Sequence, residues 1–196
     1  RFPTALPSDR TTPRNSVVFW VHYKTLVSLG VDHIITYQLH SDKSKTIVDP
    51  TLCAIDDVPG SPLVMEFITD NFIRKPDFLQ EVIRNDWLFC SVDAGGENIA
   101  RKYARAFGTK LVIAHKQRNY NKKNTVDSIN ILSDTDLAGK DIWIVDDMID
   151  TGGSVYALVK ELNRREVRRV NMAVIHPVFS DPAIERLTAL YQEGLL

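Results

Sequence analysis

The chain has 196 residues, 44% of them hydrophobic and 25% charged, with a formal net charge of −1. This is ordinary globular composition for one large domain or one and a half; it excludes a basic nucleic-acid surface, and no apolar run approaches the roughly 20 residues of a membrane span. Cys53 and Cys90 lack metal or redox spacing, and with no signal peptide, repeat or low-complexity tract in view, buried reduced thiols in a cytoplasmic protein are expected. The first residue is not Met, so a fragment of a longer protein is also expected.

Taken in order, residues 1–14 are rich in Pro, Thr and Arg and read as a loop. Asn15 or Ser16 can cap a helix running to Leu29 and closed by Gly30. His33 to Tyr37 reads as a strand that delivers Gln38, Leu39 and His40 to its end. Residues 41–60 read as irregular, with Pro50, Pro59 and Gly60, and a domain boundary is expected near Gly60. A helix with Pro62 in its first turn is predicted from Ser61 to about Arg74, and a shorter one from Asp77 to Asn85. Trp87 to Val92 makes the next strand, followed by Asp93-Ala94-Gly95-Gly96 and a helix from Glu97 to Phe107.

Leu111 to Ala114 forms a third strand, with His115-Lys116-Gln117-Arg118 at its end. Asn119 to Asn124 is polar, and a mobile loop there would close over a reactive phosphate. A short strand is expected from Ser128 to Leu132. Ile142 to Val145 has the apolar continuity of a buried parallel strand, ended by Asp146 and Asp147. Asp150-Thr151-Gly152-Gly153-Ser154 follows, and then a helix with Val155, Leu158, Val159 and Leu162 on one face. A strand over Val170–Ile175 and a last helix through Ile184, Leu187 and Leu190, capped by Asp181 and started by Pro182, complete the pattern. Alternating strands and helices of this kind imply an α/β fold, a mostly parallel sheet with helices on both faces.

The stretch from Ile142 to Val155 carries the most chemistry. Ligands of open α/β sheets sit outside the carboxyl ends of the strands, where the paired Asp residues fall. Glycines permit positive φ and close approach of backbone to an anion, and a helix start offers unpaired N–H donors. The helix dipole gives only about 0.3–1 kcal/mol, whereas a charge-assisted hydrogen bond is worth roughly 1.5–3 kcal/mol. Loop donors therefore dominate any phosphate affinity. Carboxylates repel phosphate but accept from sugar hydroxyls or hold a metal. Donors on the loop and acceptors just before it suit a sugar phosphate. A Walker-B strand would need a G-x-x-x-x-G-K-[ST] loop, and the sequence has neither that nor G-x-G-x-x-G.

Val145-Asp-Asp-Met-Ile-Asp-Thr-Gly-Gly-Ser154 resembles the ribose-phosphate loop of the phosphoribosyltransferase-type fold, and within it the ribose-phosphate diphosphokinases (PRPP synthetases). That family also has Asp-Ala-Gly-Gly where Asp93 to Gly96 stands, Asp-Leu-His near Gln38-Leu39-His40, and His-Lys-Arg-Arg or a close variant near His115 to Arg118. The resemblance implies ATP-dependent transfer of diphosphate to ribose 5-phosphate, giving 5-phosphoribosyl 1-diphosphate and AMP. It implies Mg2+ held by His40 and Asp93, Lys116 and Arg118 as catalytic residues, and ribose phosphate bound by Asp146, Asp147, Asp150, Thr151, Gly152, Gly153 and Ser154. It further implies a cytoplasmic homo-oligomer. Residues 1–60 would be the C-terminal part of an N-terminal phosphoribosyltransferase-like domain, and 61–196 a second such domain carrying the loop.

Three positions depart from the family pattern. Gln38 replaces an Asp, Gln117 an Arg, and the ATP-contacting Arg-Gln falls on Leu6-Pro7, while Arg14 is kept. Two rival readings therefore stay open. One is a non-catalytic, regulatory homologue of a PRPP synthetase; the other is a phosphoribosyltransferase that consumes PRPP.

Overall fold

The structure, a computed structural model, describes residues 18–41, 43–46, 48–74, 83, 85–118 and 126–196, with backbone alone at 43, 116–118 and 126–128. The expected loop over 1–14, the caps at Asn15 or Ser16, the positions Leu6, Pro7 and Arg14, and the polar segment 119–124 lie outside the described residues. So does most of the expected helix from Asp77 to Asn85. The chain divides into two compact units, Arg1–Gly60 and Ser61–Leu196.

The first unit contains α1 (Val18–Ser28), β1 (His33–Tyr37), the single turn α2 (Lys43–Thr46) and β2 (Ala54–Val58). Gly30 stops α1 at φ +91, a left-handed conformation that costs a residue without Cβ little. Tyr23 is buried, and its hydroxyl is shared between the carbonyl oxygens of Asp49 (2.8 Å) and Cys53 (3.2 Å). The irregular reading of 41–60 is corrected here: β2 pairs in parallel with β1, from His33 opposite Ala54 to Tyr37 opposite Val58. Its two carboxylates disguise it, because Asp is depleted in strands. Each finds a partner from far along the chain. Asp56 lies 2.7 Å from His33 Nε2, and Asp57 accepts from Thr36 Oγ1 and the Leu39 N–H.

The second unit opens with α3 (Ser61–Ile68), which widens into a π-helical turn over Thr69–Ile73, closed by the Arg74 N–H donating to Thr69 O. There follow β3 (Trp87–Ser91), α4 (Glu97–Phe107), β4 (Lys110–Arg118), β5 (Val126–Leu132), β6 (Asp141–Ile149), α5 (Gly153–Arg164), β7 (Arg169–Pro177) and α6 (Ala183–Gln192). The sheet order is β5-β4-β3-β6-β7. All pairs are parallel except β4 with β5.

Helices cover both faces. On one, Leu88, Cys90, Ile142 and Ile144 pack with Leu158, Val159 and Leu162 of α5 and Leu190 of α6. On the other, Trp87, Phe89, Trp143 and Val145 meet Ala100, Tyr103 and Ala104 of α4 and Ile68 of α3. Phe89 is fully buried and stacks on Phe107 at 5.2 Å; burial of one such ring contributes about 1.5–3 kcal/mol. Cys53 and Cys90 are buried free thiols, and burial pushes the Cys90 thiol up to about 12.

Three boundary expectations need correction. Asp146 and Asp147 do not end their strand but lie within β6, because β7 continues to pair alongside as far as Ile149 opposite Pro177. His115 to Arg118 likewise belong to β4, extended by antiparallel pairing with β5. Asp181 does not cap the last helix; Pro182 holds the N-cap position and no side chain bonds the helix start.

Candidate functional site

The strand order reverses direction between β3 and β6. From β3 the chain passes through α4 to β4 on one side, and from β6 through α5 to β7 on the other. A crevice opens at such a switch point, outside the carboxyl ends of the two strands. Ser91 and Val145 are neighbours across the β3–β6 pair. The loops that follow, Asp93–Gly96 and Asp150–Ser154, thus leave adjacent strands at one edge.

The first loop is closed on itself. Asp93 Oδ1 accepts from the N–H groups of Gly95 (2.8 Å) and Gly96 (3.2 Å). Gly96 holds the N-cap of α4 at φ −79. It sits close to the acidic part of β6: a Cβ there would lie 3.4 Å from Asp146 Oδ1 and 3.6 Å from Ser91 Cβ. The Ser91 hydroxyl is buried with no hydrogen-bond partner among the described residues.

Asp146 stands beside that turn, and Asp147, the next residue of β6, is buried. Burial pushes the Asp146 carboxyl up to about 7, with the Asp147 charge adding to the effect and Asp93 contributing less. Asp146 Oδ1 accepts from the Asp147 N–H at 2.9 Å. One N–H compensates only part of that lost solvation, and sugar hydroxyls or a cation could supply more.

The second loop is open. Gly152 is the N-cap of α5 at φ +70, so the helix start has no capping side-chain oxygen of the kind Ser, Thr, Asp or Asn provides. A Cβ on Gly152 would meet Ala183 Cα at 3.4 Å; the last helix presses against the loop. Asp150 and Thr151 are exposed, Gly152 is buried, and Gly153 and Ser154 are half-buried. Arg186 of α6 donates from Nη1 to the Thr151 carbonyl oxygen at 2.8 Å. The sequence reading missed Arg186, Ala183 and Ser91. None sits in a motif, and Arg186 is 35 residues from its partner.

β4 overhangs this edge. Its last pair with β3 is Ile113 opposite Ser91, yet it continues to Arg118, with Lys116 opposite Ile129 and Arg118 opposite Val126 of β5. The backbone positions of Lys116 and Arg118 therefore project past the edge where the two loops lie. His40 belongs to the first unit, where it is exposed. It follows a turn in which Gln38, at φ +51, ties the strand ends: its N–H donates to Val58 O and its Oε1 accepts from the Gly60 N–H.

Among the described residues no group of three or more His, Cys, Asp or Glu is placed to hold a metal ion. Magnesium needs no such cage, since it is commonly bound by one or two carboxylates and completed by substrate phosphates and water. Asp93 fits that pattern: Oδ1 is held by two amides, which orients the carboxylate and leaves Oδ2 for a hard cation.

Comparison with known proteins agrees with this arrangement. The phosphoribosyl transferase domain model matches residues 69–187. The ribose-phosphate pyrophosphokinase of Chlorobaculum tepidum is 31% identical over 185 residues, covering 94% of this chain and 52% of that protein. The protein of the same name from Corynebacterium efficiens is 33% identical over 172 residues, covering 87% and 48%. The crystal structure of phosphoribosylpyrophosphate synthetase from Mycobacterium smegmatis superposes with a TM-score of 0.76 at 27% identity, covering 95% of this chain and 55% of that one. The chain spans about half the length of the curated relatives it matches. No helix among the described residues is long and apolar enough to cross a membrane.

Proposed function

The chain belongs to the phosphoribosyl transferase domain family, and from that premise we propose that it carries the ribose-phosphate side of a site that makes 5-phosphoribosyl 1-diphosphate and AMP from ribose 5-phosphate and ATP. The observation that carries this reading is the pairing at one strand edge of opposite chemistries. Asp146 and Asp147 are poorly solvated acceptors suited to ribose hydroxyls. The start of α5, capped only by Gly152, is a set of donors suited to the 5-phosphate.

Each residue then has a task. Asp146 and Asp147 accept from the sugar hydroxyls and orient the ring. Asp150 and Thr151 bound the loop, and the backbone of Gly152 to Ser154 holds the phosphate. Lys116 and Arg118, carried on the overhanging β4, neutralise charge on the transferring diphosphate; in phosphoryl transfer most of the catalysis is positioning and electrostatic stabilisation. Magnesium, if held here, would withdraw charge from the phosphates. Asp93 of this unit would hold it, and His40 of the first unit is the other candidate ligand. Residues 61–196 are read as a second phosphoribosyltransferase-like domain and 1–60 as the end of a preceding one, in a cytoplasmic homo-oligomer.

The reading is tested by titrating ribose 5-phosphate and ATP separately, with magnesium, into the purified 196-residue chain. Ribose 5-phosphate is expected to bind. ATP is expected to bind weakly with little PRPP formed, because Leu6 and Pro7 replace the Arg-Gln of the family pattern. Tight ATP binding with AMP release would show that those two positions matter less than their chemistry suggests. Turnover with PRPP and a nucleobase, and none with ATP, would move the protein to the PRPP-consuming class. Absence of ribose 5-phosphate binding would remove the proposal.

A further inference from the structure

We propose that Arg186 is a positioning residue of the anion loop, acting through the Thr151–Gly152 peptide and not by touching the phosphate; this rests on the sugar-phosphate reading above. In a trans peptide the C=O and the next N–H point in opposite directions. Arg186 Nη1 holds Thr151 O at 2.8 Å, and that one bond fixes the direction of the Gly152 N–H as well. Gly152, at φ +70, belongs to the residue type that permits this peptide to turn over. Turned over, it would offer an incoming phosphate a carbonyl oxygen in place of a donor.

A second observation places the guanidinium in the loop's own space. A Cβ built on Gly153 would lie 3.1 Å from Arg186 Nη1 and 3.7 Å from its Cζ. A side chain at Gly153 would need the Arg186 guanidinium to give by a few tenths of an ångström, and Gly153 itself has ordinary helical geometry, so backbone freedom is not what the position uses. The first glycine is explained by its positive φ, and Ala183 lies in contact range beside it. The first turn of α6 thus brings both Ala183 and Arg186 beside the two glycines of the loop.

The test is calorimetry of ribose 5-phosphate and, separately, inorganic phosphate on the purified protein and on Arg186→Ala, Gly153→Ala and the double variant, at low and high salt. Loss of a charge-assisted donor predicts ribose 5-phosphate affinity weakened about tenfold to hundredfold in Arg186→Ala. The fold-loss should be equal at both salt concentrations, because a misdirected N–H is not screened as a distant charge is. Gly153→Ala should weaken binding when Arg186 is present and add little once it is gone. Arg186→Lys, which keeps a donor on a long stem, should fall between wild type and Arg186→Ala, and it serves if the alanine variant does not fold. Wild-type affinity in Arg186→Ala overturns the inference, as do simply additive effects of the two substitutions. A loss confined to low salt would also overturn it, making Arg186 a general electrostatic attractor. If the unaltered protein bound ribose 5-phosphate but Arg186 did not matter, only this inference would fall; if it bound no ligand, the sugar-phosphate reading would fall first.

Discussion

Asp93–Gly96 and Asp150–Ser154 share one plan, strand, Asp, two glycines and a helix, yet they present opposite chemistry to the same crevice. In the first, the carboxylate turns inward and takes the N–H groups of Gly95 and Gly96, so the loop consumes its own donors and shows a negative edge. In the second, no side chain caps the helix, Gly152 takes the left-handed conformation, and Arg186 draws the Thr151 carbonyl away. That loop shows donors. A motif written as Asp and Gly-Gly does not say which charge it binds. What decides is where the local carboxylate and carbonyl are already engaged.

The largest expected effect comes from closing the open loop. Gly152→Val should weaken ribose 5-phosphate binding by roughly 10³-fold or more, since two lost charge-assisted bonds alone reach that order. The branched side chain is strained at φ +70 and meets Ala183, so lower stability should accompany the loss. Gly95→Ala, in the closed loop, meets only the Asp93 carboxylate at 3.1 Å and should leave affinity within a few-fold, about the scale of a relaxed side-chain contact. Calorimetry on both variants checks the contrast. Equal losses would show that the two loops do not divide the labour.

Next in size is Lys116→Ala. A residue that meets charge only as it develops lowers kcat with little change in substrate affinity, and removal of one such donor costs roughly 10²–10³ in rate. Single-turnover rates alongside ribose 5-phosphate titration separate the two quantities. Loss of affinity alone would make Lys116 a binding residue and end its catalytic assignment.

The third prediction uses the burial of Asp146. Its carboxyl is held up to about 7, chiefly by burial, against an ordinary value near 3.9. Below about pH 4 the group is neutral folded and unfolded and carries no penalty. Between about pH 4 and 7 only the unfolded chain ionises, so this group's contribution to stability falls as pH rises and is lost above about 7. Asp146→Asn should therefore stabilise the fold at about pH 8 by a few kcal/mol, each tenfold change in the acidity of the carboxyl being worth about 1.4 kcal/mol, and by little at about pH 4. The same variant should bind ribose 5-phosphate more weakly. Denaturant unfolding at the two pH values tests the first half; a gain that is the same at both would remove burial of a charge as its cause.

The elements are legible in the sequence unevenly, and for physical reasons. β1 and α4 have the boundaries their residues predict, because each carries its own period and ends at a turn. β2 is hidden, since Asp56 and Asp57 are held in a strand by His33, Thr36, Leu39 and Lys45. β4 and β6 are longer than their apolar runs for a related reason: polar residues past the run stay in the strand when a neighbour keeps pairing with them. The carboxylates and glycines of the site are visible as a local pattern. Arg186, which sets the direction of a loop peptide from a helix 35 residues away, leaves no local trace.

The smallest effect concerns the closed loop itself and separates its two duties. Asp93 Oδ1 works as a cap for two N–H groups, and losing a cap of this kind costs about 0.5–2 kcal/mol. Asp93→Ala should show that loss. Asp93→Asn keeps an acceptor oxygen in the same place and should retain most of the stability. It removes the negative charge, however, and with it the attraction for a hard cation and the smaller repulsion felt by Asp146. The asparagine variant should therefore fold like wild type, bind ribose 5-phosphate without magnesium as wild type does, and need more magnesium to bind ATP. Unfolding curves and a magnesium titration followed through nucleotide binding read the two duties apart. If asparagine lost as much stability as alanine, the charge and not the cap would hold the turn. If its magnesium requirement were unchanged, Asp93 would be a turn residue alone, and the negative edge of this loop would have no part in binding the cation.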